Sequence, residues 1–304
     1  MTTPPELLAG SATGSIYDLG YRRYDGPRLG RRHAVRALFV HSSRAVFGLG
    51  RSGRAKVAPL ALGALIALPA VVSVAFTALA PVGAREFNPI SLEEYLSFAQ
   101  TLLVFFVAAQ APELLVRDQR HQVLTLYFSR ALERADYVVA KYLALVAGVA
   151  LVLLIPQVVL LVGTLFATPS LADGAAEVAP QLWPVAGRTA VVAALLAGVG
   201  LAASAFTVRR PFAAATTIGV FFVLSGIVSV LVAEVGPTGP LALVALADPF
   251  ALFDGISAFL FGIGGSSTTV KGSDVPVEAF AGTAVGVAVG AFALLLLRYR
   301  RIAA

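Results

Sequence analysis

The chain has 304 residues, 58% of them hydrophobic and 13% charged, with a formal net charge of +6 and no cysteine. Soluble domains are roughly 45–50% apolar and 25% charged, so this composition excludes an ordinary water-soluble domain. The missing thiols exclude disulfides, thiolate metal sites and cysteine nucleophiles. The mean hydropathy of +0.84 fits a protein solvated by lipid, and the pI of about 9.9 reads as topological anchoring against anionic headgroups rather than nucleic-acid binding. Arg outnumbers Lys 20 to 3, a bias of high-GC bacterial genomes.

Residues 1–32 form a basic tail punctuated by Gly and Pro. No apolar stretch of signal-peptide length precedes Val57, so the first span is expected to direct insertion. In segment 33–56, Val35, Leu38, Phe39, Val46 and Leu49 share one helical face. Arg32, Arg36 and Ser43 lie away from it, and Val40 and Phe47 break the pattern. An Arg-rich amphipathic segment just before a span predicts a helix lying in the inner interface.

Apolarity predicts spans at about 57–80, 92–113, 138–167, 186–207, 212–235 and 278–297. Each suffices for ~30 Å of hydrocarbon at 1.5 Å per residue, and helices are the spanning structure that reads this way. The expected fold is an all-α integral membrane protein with a six-span domain over 57–297. Of the 23 Lys and Arg residues, 20 fall on one side: ten in 1–56, then Arg117, Arg120, Arg130, Arg134, Lys141, Arg209, Arg210, Arg298, Arg300 and Arg301. Only Arg85, Arg188 and Lys271 fall on the other. The positive-inside rule then puts both termini, including the 298–304 tail, in the cytosol.

Local signals set the boundaries. Ser91 and Glu94 form a capping-box pattern before the second span, and Asp136 is expected to cap the third. Arg209-Arg210-Pro211 breaks the chain between the fourth and fifth. In the outer loop 236–277, Asp248-Pro249 starts a helix. The apolar run Phe250–Phe261 is too short to cross and predicts a re-entrant or interfacial helix. Gly262–Thr269 reads as a flexible loop. Gly282, Gly286 and Gly290, and likewise Ala190, Ala194, Gly198 and Ala202, recur every four residues and predict close helix packing.

No catalytic, cofactor or metal motif is present. The nearest approach to a phosphate-binding loop, Gly48–Gly53 followed by Arg54-Ala55, lacks the Lys and the hydroxyl. His33, His41 and His121 have no partner at metal spacing. Charges in the spans sit near their ends, at Glu113, Lys141, Arg188, Glu234 and Glu278, which argues against ion-coupled transport. Lys141 is expected to snorkel to the inner interface. Gln110 and Gln157, the latter beside Pro156, are neutral candidates for lining a pathway; Gln157 equally suits a bond to a neighbouring helix.

The link Glu113–Lys141 carries a charged stretch (Glu113, Arg117, Asp118, Arg120), an apolar short helix (Leu124, Leu126, Tyr127, Phe128), a turn (Ser129, Arg130, Arg134, Asp136, Tyr137) and Lys141 in the next span. In this pattern, with the preceding amphipathic helix, six spans and short outer helices, the chain resembles the permease subunits of type-2 ABC transporters. Tyr17–Tyr24 is similar to the N-terminal stretch of some bacterial members. Val123 stands near a usual Gly, and Ala131 where Pro is usual. The resemblance implies a bacterial inner-membrane exporter with two permease chains, identical or paralogous, and two cytosolic ATPases that bring the ATP and Mg. The ATPase is expected to dock on Glu113, Arg117, Asp118, Arg120, Leu124, Leu126, Tyr127, Arg130 and Arg134 in the 114–135 coupling segment, and on the amphipathic helix. The competing readings are a stand-alone facilitator and a non-transport scaffold, sensor or lipid-enzyme subunit.

Overall fold

The computed structural model describes residues 26, 29–79, 90–129, 132–235 and 240–301. Arg85, Arg130, Ala131 and the 17–24 stretch lie outside them. The helices, in order, are α1 (Gly30–Val46), α2 (Gly53–Leu79), α3 (Tyr95–Arg120), α4 (Leu124–Phe128), α5 (Arg134–Ala167), α6 (Leu171–Val178), α7 (Leu182–Ala205), α8 (Arg210–Val235), α9 (Pro249–Phe261), α10 (Thr268–Lys271) and α11 (Val277–Arg300). Short 3₁₀ segments, Ala179–Gln181 and Pro240–Ala247, precede α7 and α9, and there is no strand among the described residues. Helices satisfy their own backbone polar groups, as lipid requires.

Six helical runs are long and apolar enough to cross a membrane: α2, α3, α5, the run from α6 through α7, α8 and α11. The chain is an all-α, multi-pass membrane protein. α3 and α7 are its most buried spans, whereas α2, α8 and α11 expose most of their length. Their exposed Leu60, Val72, Val223, Ile227 and Val289 are a cost in water but not in hydrocarbon. Small residues allow the central contacts: a Cβ on Gly200 would collide with Val107, and one on Gly198 would press on Ala291. Gly282, Gly286 and Gly290 instead face open space. Their spacing marks a bare side of α11, and they meet no partner within the described chain.

Long-range bonds gather one set of helix ends. Gln119 reaches Ala205 O and the Tyr299 hydroxyl, Arg134 donates to Arg300 O, and Glu113 joins Arg51 to Arg210. The start of α1, both flanks of α4, the α7–α8 turn and the end of α11 therefore share one end of the bundle, here the basic end.

α1 starts at Gly30, three residues before the predicted segment. It lies lengthwise against α5: Arg31 near its start bonds Glu133 and Asp136, while Val46 at its end fills the space beside Gly148. The 34 residues of α5 extend ~51 Å, well beyond the hydrocarbon thickness, so its first turns need another cover. Leu38, Ser42 and Val46, spaced by four, supply it. Leu49 falls past the helix end and is exposed, against expectation. Gly48 makes the stop: its φ is +66°, and a side chain there would strike the Ala55 carbonyl.

Three boundary expectations change. Asp136 is the third residue of a reciprocal capping box, not the cap; Glu133 is the cap, and its N–H donates to Asp136 Oδ2 at 3.1 Å. Ser91 accepts from Glu94 N–H at 3.2 Å as expected, but the helix proper begins at Tyr95. Segment 262–269 is not a loose loop. Asp254 accepts from Ser266 N (2.8 Å), Ser266 Oγ (2.6 Å) and Ser267 N (2.9 Å), and Ser267 caps α10.

Asp248 starts α9 as predicted, accepting from Phe250 N at 3.0 Å, with Pro249 next. At the end opposite the basic one, α9 wedges among α7, α8 and α11. Gly255 sits against Phe280, and the Phe250 ring reaches Phe222, halfway along α8, at 5.3 Å.

Candidate functional site

The basic end presents α4 as a short projection between α3 and α5. α3 continues seven residues past the predicted span end and stops at His121–Val123. There Gln122 adopts a left-handed φ of +53° to reverse the chain. A non-glycine residue pays about 1–2 kcal/mol for that conformation. Gln122→Gly is expected to stabilise the protein by about 0.5–1 kcal/mol, after glycine's larger unfolded-state entropy is subtracted. A thermal melt in detergent checks this; a lower midpoint would show that the Gln side chain itself holds the turn.

The base of α4 is a ring cluster. Tyr127 and Phe128 pack on Tyr137 at 5.8 and 6.1 Å, Tyr137 lies 5.4 Å from Tyr299, and the Arg134 guanidinium covers Phe128 at 5.9 Å. Burial lifts the Tyr127 phenol above its ordinary range, and the nearby Asp118 carboxylate adds to the shift. Leu124 is half-buried against this cluster, whereas Leu126 points out and is 65% exposed.

The predicted docking residues therefore divide in two. Glu113 and Asp118 turn inward. Glu113 pairs with Arg51 at 2.6 Å and with Arg210, holding α3 to the α1–α2 turn and to the start of α8. Asp118 pairs with Lys141 at 2.8 Å and accepts from the Tyr137 hydroxyl at 2.9 Å. Lys141 does not snorkel; it is 4% exposed and spends its charge on α3. Arg117, Arg120 and Leu126 form the outward set, and Arg134 is half-buried. Arg130 lies outside the described residues. A cleft of about 330 Å³ opens beside α4, walled by His41 of α1, Arg117 of α3, His121 in the turn after it, and Tyr127. Among the described residues no three His, Asp or Glu side chains converge as metal ligands.

Arg31 was missed as a site residue. Its guanidinium holds Asp136 at 2.7 and 2.9 Å and also reaches Glu133. The Asp136 bond raises the pKa of Arg31 above its ordinary value. This pair locks α1 to the start of α5, beside α4. Partners more than 100 residues apart leave no local trace, although the acidic pair Glu133/Asp136 opposite an Arg-rich helix was a usable signal.

At the opposite end sits a second node. Arg188 is fully buried, not a surface marker as the charge count assumed. It donates to Glu93 O (3.0 Å), Leu92 O (3.0 Å) and Gln157 Oε1 (2.6 Å), and it stacks 4.7 Å over Phe261. Gln157 in turn donates to Leu153 O at 2.9 Å and to Thr189 Oγ1 at 3.0 Å. Gln157 thus bonds the neighbouring helix α7 through Thr189 and Arg188. Gln110 is also buried, on α3.

No protein-family model matches the chain, and no curated protein matches it in sequence.

Proposed function

We propose that this chain is the membrane-spanning, non-catalytic permease subunit of an ABC transporter, an exporter of a bacterial inner membrane with the basic end in the cytosol. A separate ATPase grips α4 and α1, and a second permease chain completes the transporter. The observation that carries this reading is the build of α4: a helix projecting between two spans, its base fixed by rings and ion pairs, its tip offering an exposed Leu126. Asp118–Lys141 and Tyr137 tie α3 to α5 at that base, so a force on α4 moves both spans together as one body. Arg31 and the α1 stripe couple the neighbouring helix to the same spans. The arrangement suits transmission of a pull applied from outside the bilayer, and the buried charges hold helices together rather than forming an ion relay.

The test is co-purification. Wild-type protein extracted in mild detergent should retain a soluble partner with a nucleotide-binding P-loop, identified by mass spectrometry. Docking a leucine buries about 1.5–3 kcal/mol of apolar contact. Leu126→Glu should therefore cost at least about tenfold in partner affinity and abolish partner-dependent ATP hydrolysis, with an unchanged gel-filtration profile. Retention of the partner at wild-type level by the variant, or absence of any P-loop partner on the wild type, overturns the assignment.

A further inference from the structure

A cavity of about 620 Å³ lies at the basic end between the close of α3 and the α7–α8 turn. Among the described residues its walls include Arg120, Arg209 and Arg210, with Gln119 and Gln122, and no carboxylate. Arg120 and Arg209 are exposed and have no acidic partner among the described residues. Arg210 gives one guanidinium nitrogen to Glu113, but its Nε is buried with no hydrogen-bond partner. Three cations around one concavity repel each other, and an anion inside it relieves that repulsion.

What lies below the cavity says which anion. Arg210 shares Glu113 with Arg51, which sits in the turn where α2 starts, so these groups mark the rim of the apolar slab. Phe206, Val208 and Phe212 are exposed around the arginines. From Phe212 an exposed stripe descends α8 through Thr216, Val220, Val223 and Ile227, spaced by three or four residues on one face. That stripe faces hydrocarbon, so an anion that reaches the cavity from within the bilayer brings acyl chains that lie along it. We propose that this cavity is a specific site for an anionic phospholipid, with the headgroup phosphate between Arg120, Arg209 and Arg210 and the acyl chains along the exposed face of α8. The site is independent of the ATPase reading and stands if that reading fails.

The test uses the full chain in mild detergent, with phosphatidylglycerol as the probe and native mass spectrometry as the readout. Phosphatidylcholine serves as the zwitterionic reference. The variant R120Q/R209Q leaves the Glu113 cluster intact, and R32Q/R36Q removes equal charge elsewhere at the same end. Phosphatidylglycerol retention should fall about tenfold or more in R120Q/R209Q relative to both wild type and R32Q/R36Q. Phosphatidylcholine retention should be equal in all three. R120K/R209K, which keeps the charge, should restore retention, as it would not for a folding defect. Equal phosphatidylglycerol retention in all variants overturns the proposal. So does full displacement of the lipid by excess inorganic phosphate, which would make the cavity a free-anion site.

Discussion

Replacing Arg188 with leucine is expected to destabilise the protein by about 2–4 kcal/mol, the largest effect of any single change at the end opposite α4. Two terms oppose each other. Removing the guanidinium ends the cost of keeping a cation out of water, and that cost is several kcal/mol for a fully buried group. It also removes three charge-assisted hydrogen bonds, worth about 1.5–3 kcal/mol each, and a stacking contact on Phe261. The bonds win because the planar fork reaches three acceptors at once, two adjacent carbonyls before α3 and one side chain on α5, a geometry that lysine cannot copy. Gln157→Leu should also destabilise, by leaving the cation short of a side-chain acceptor. The double variant R188L/Q157L should lose less than the sum of the two, by about 0.5–3 kcal/mol, because each single change strands the other residue. Thermal unfolding midpoints in detergent provide the cycle. Strict additivity would mean that the 2.6 Å contact contributes nothing.

The second large effect lies at the basic end. Asp118→Leu strands the Lys141 ammonium, 5% exposed at its side chain, without its ion-pair partner and with the Tyr137 ring at 5.4 Å. An unpaired buried charge costs about 3–5 kcal/mol. The same change frees the Tyr137 hydroxyl and loosens the base of α4. Removing both charges together is a different matter. D118L/K141L gives up the attraction but also two desolvation costs, and should return to within about 1 kcal/mol of wild type. Proteolysis of the 121–133 link gives a local readout alongside the melt: faster cleavage in D118L and near-normal cleavage in the double variant. A double variant as weak as D118L would show that Asp118 acts through Tyr137 and not through Lys141.

Much of the architecture was legible in the sequence because lipid imposes a length and a hydropathy that few other environments demand. Six long apolar helices stand where apolarity put them, although α3 runs seven residues further and the fourth run begins already with α6 at Leu171. The start of α9 was readable from Asp248-Pro249, since capping is a contact between near neighbours. α6 was missed although Ser170, which accepts from Asp173 N at 3.2 Å, offered a recognisable start. What local reasoning cannot supply is depth and pairing. Arg188 looked like a loop-side charge because its acceptors lie 95 and 96 residues earlier and 31 residues earlier in the chain. Glu113 and Asp118 looked like free handles for the same reason. An exposed carboxylate and one engaged by distant arginines or lysines read identically as letters. The glycine stripe of α11 shows the same limit: spacing marks where a neighbour fits but not which chain supplies it, and no described residue fills the space beside Gly282, Gly286 and Gly290.

The bonds from Gln119 to Tyr299 and from Arg134 to the Arg300 carbonyl have a consequence for biosynthesis. α3, α4 and α5 leave the ribosome more than a hundred residues before α11 does. Until α11 has inserted, Tyr137 lacks the ring that backs it and Gln119 lacks its hydroxyl partner. The projection that α4 forms is thus completed by a span made much later, and its base gains its full set of contacts only once α11 is in place.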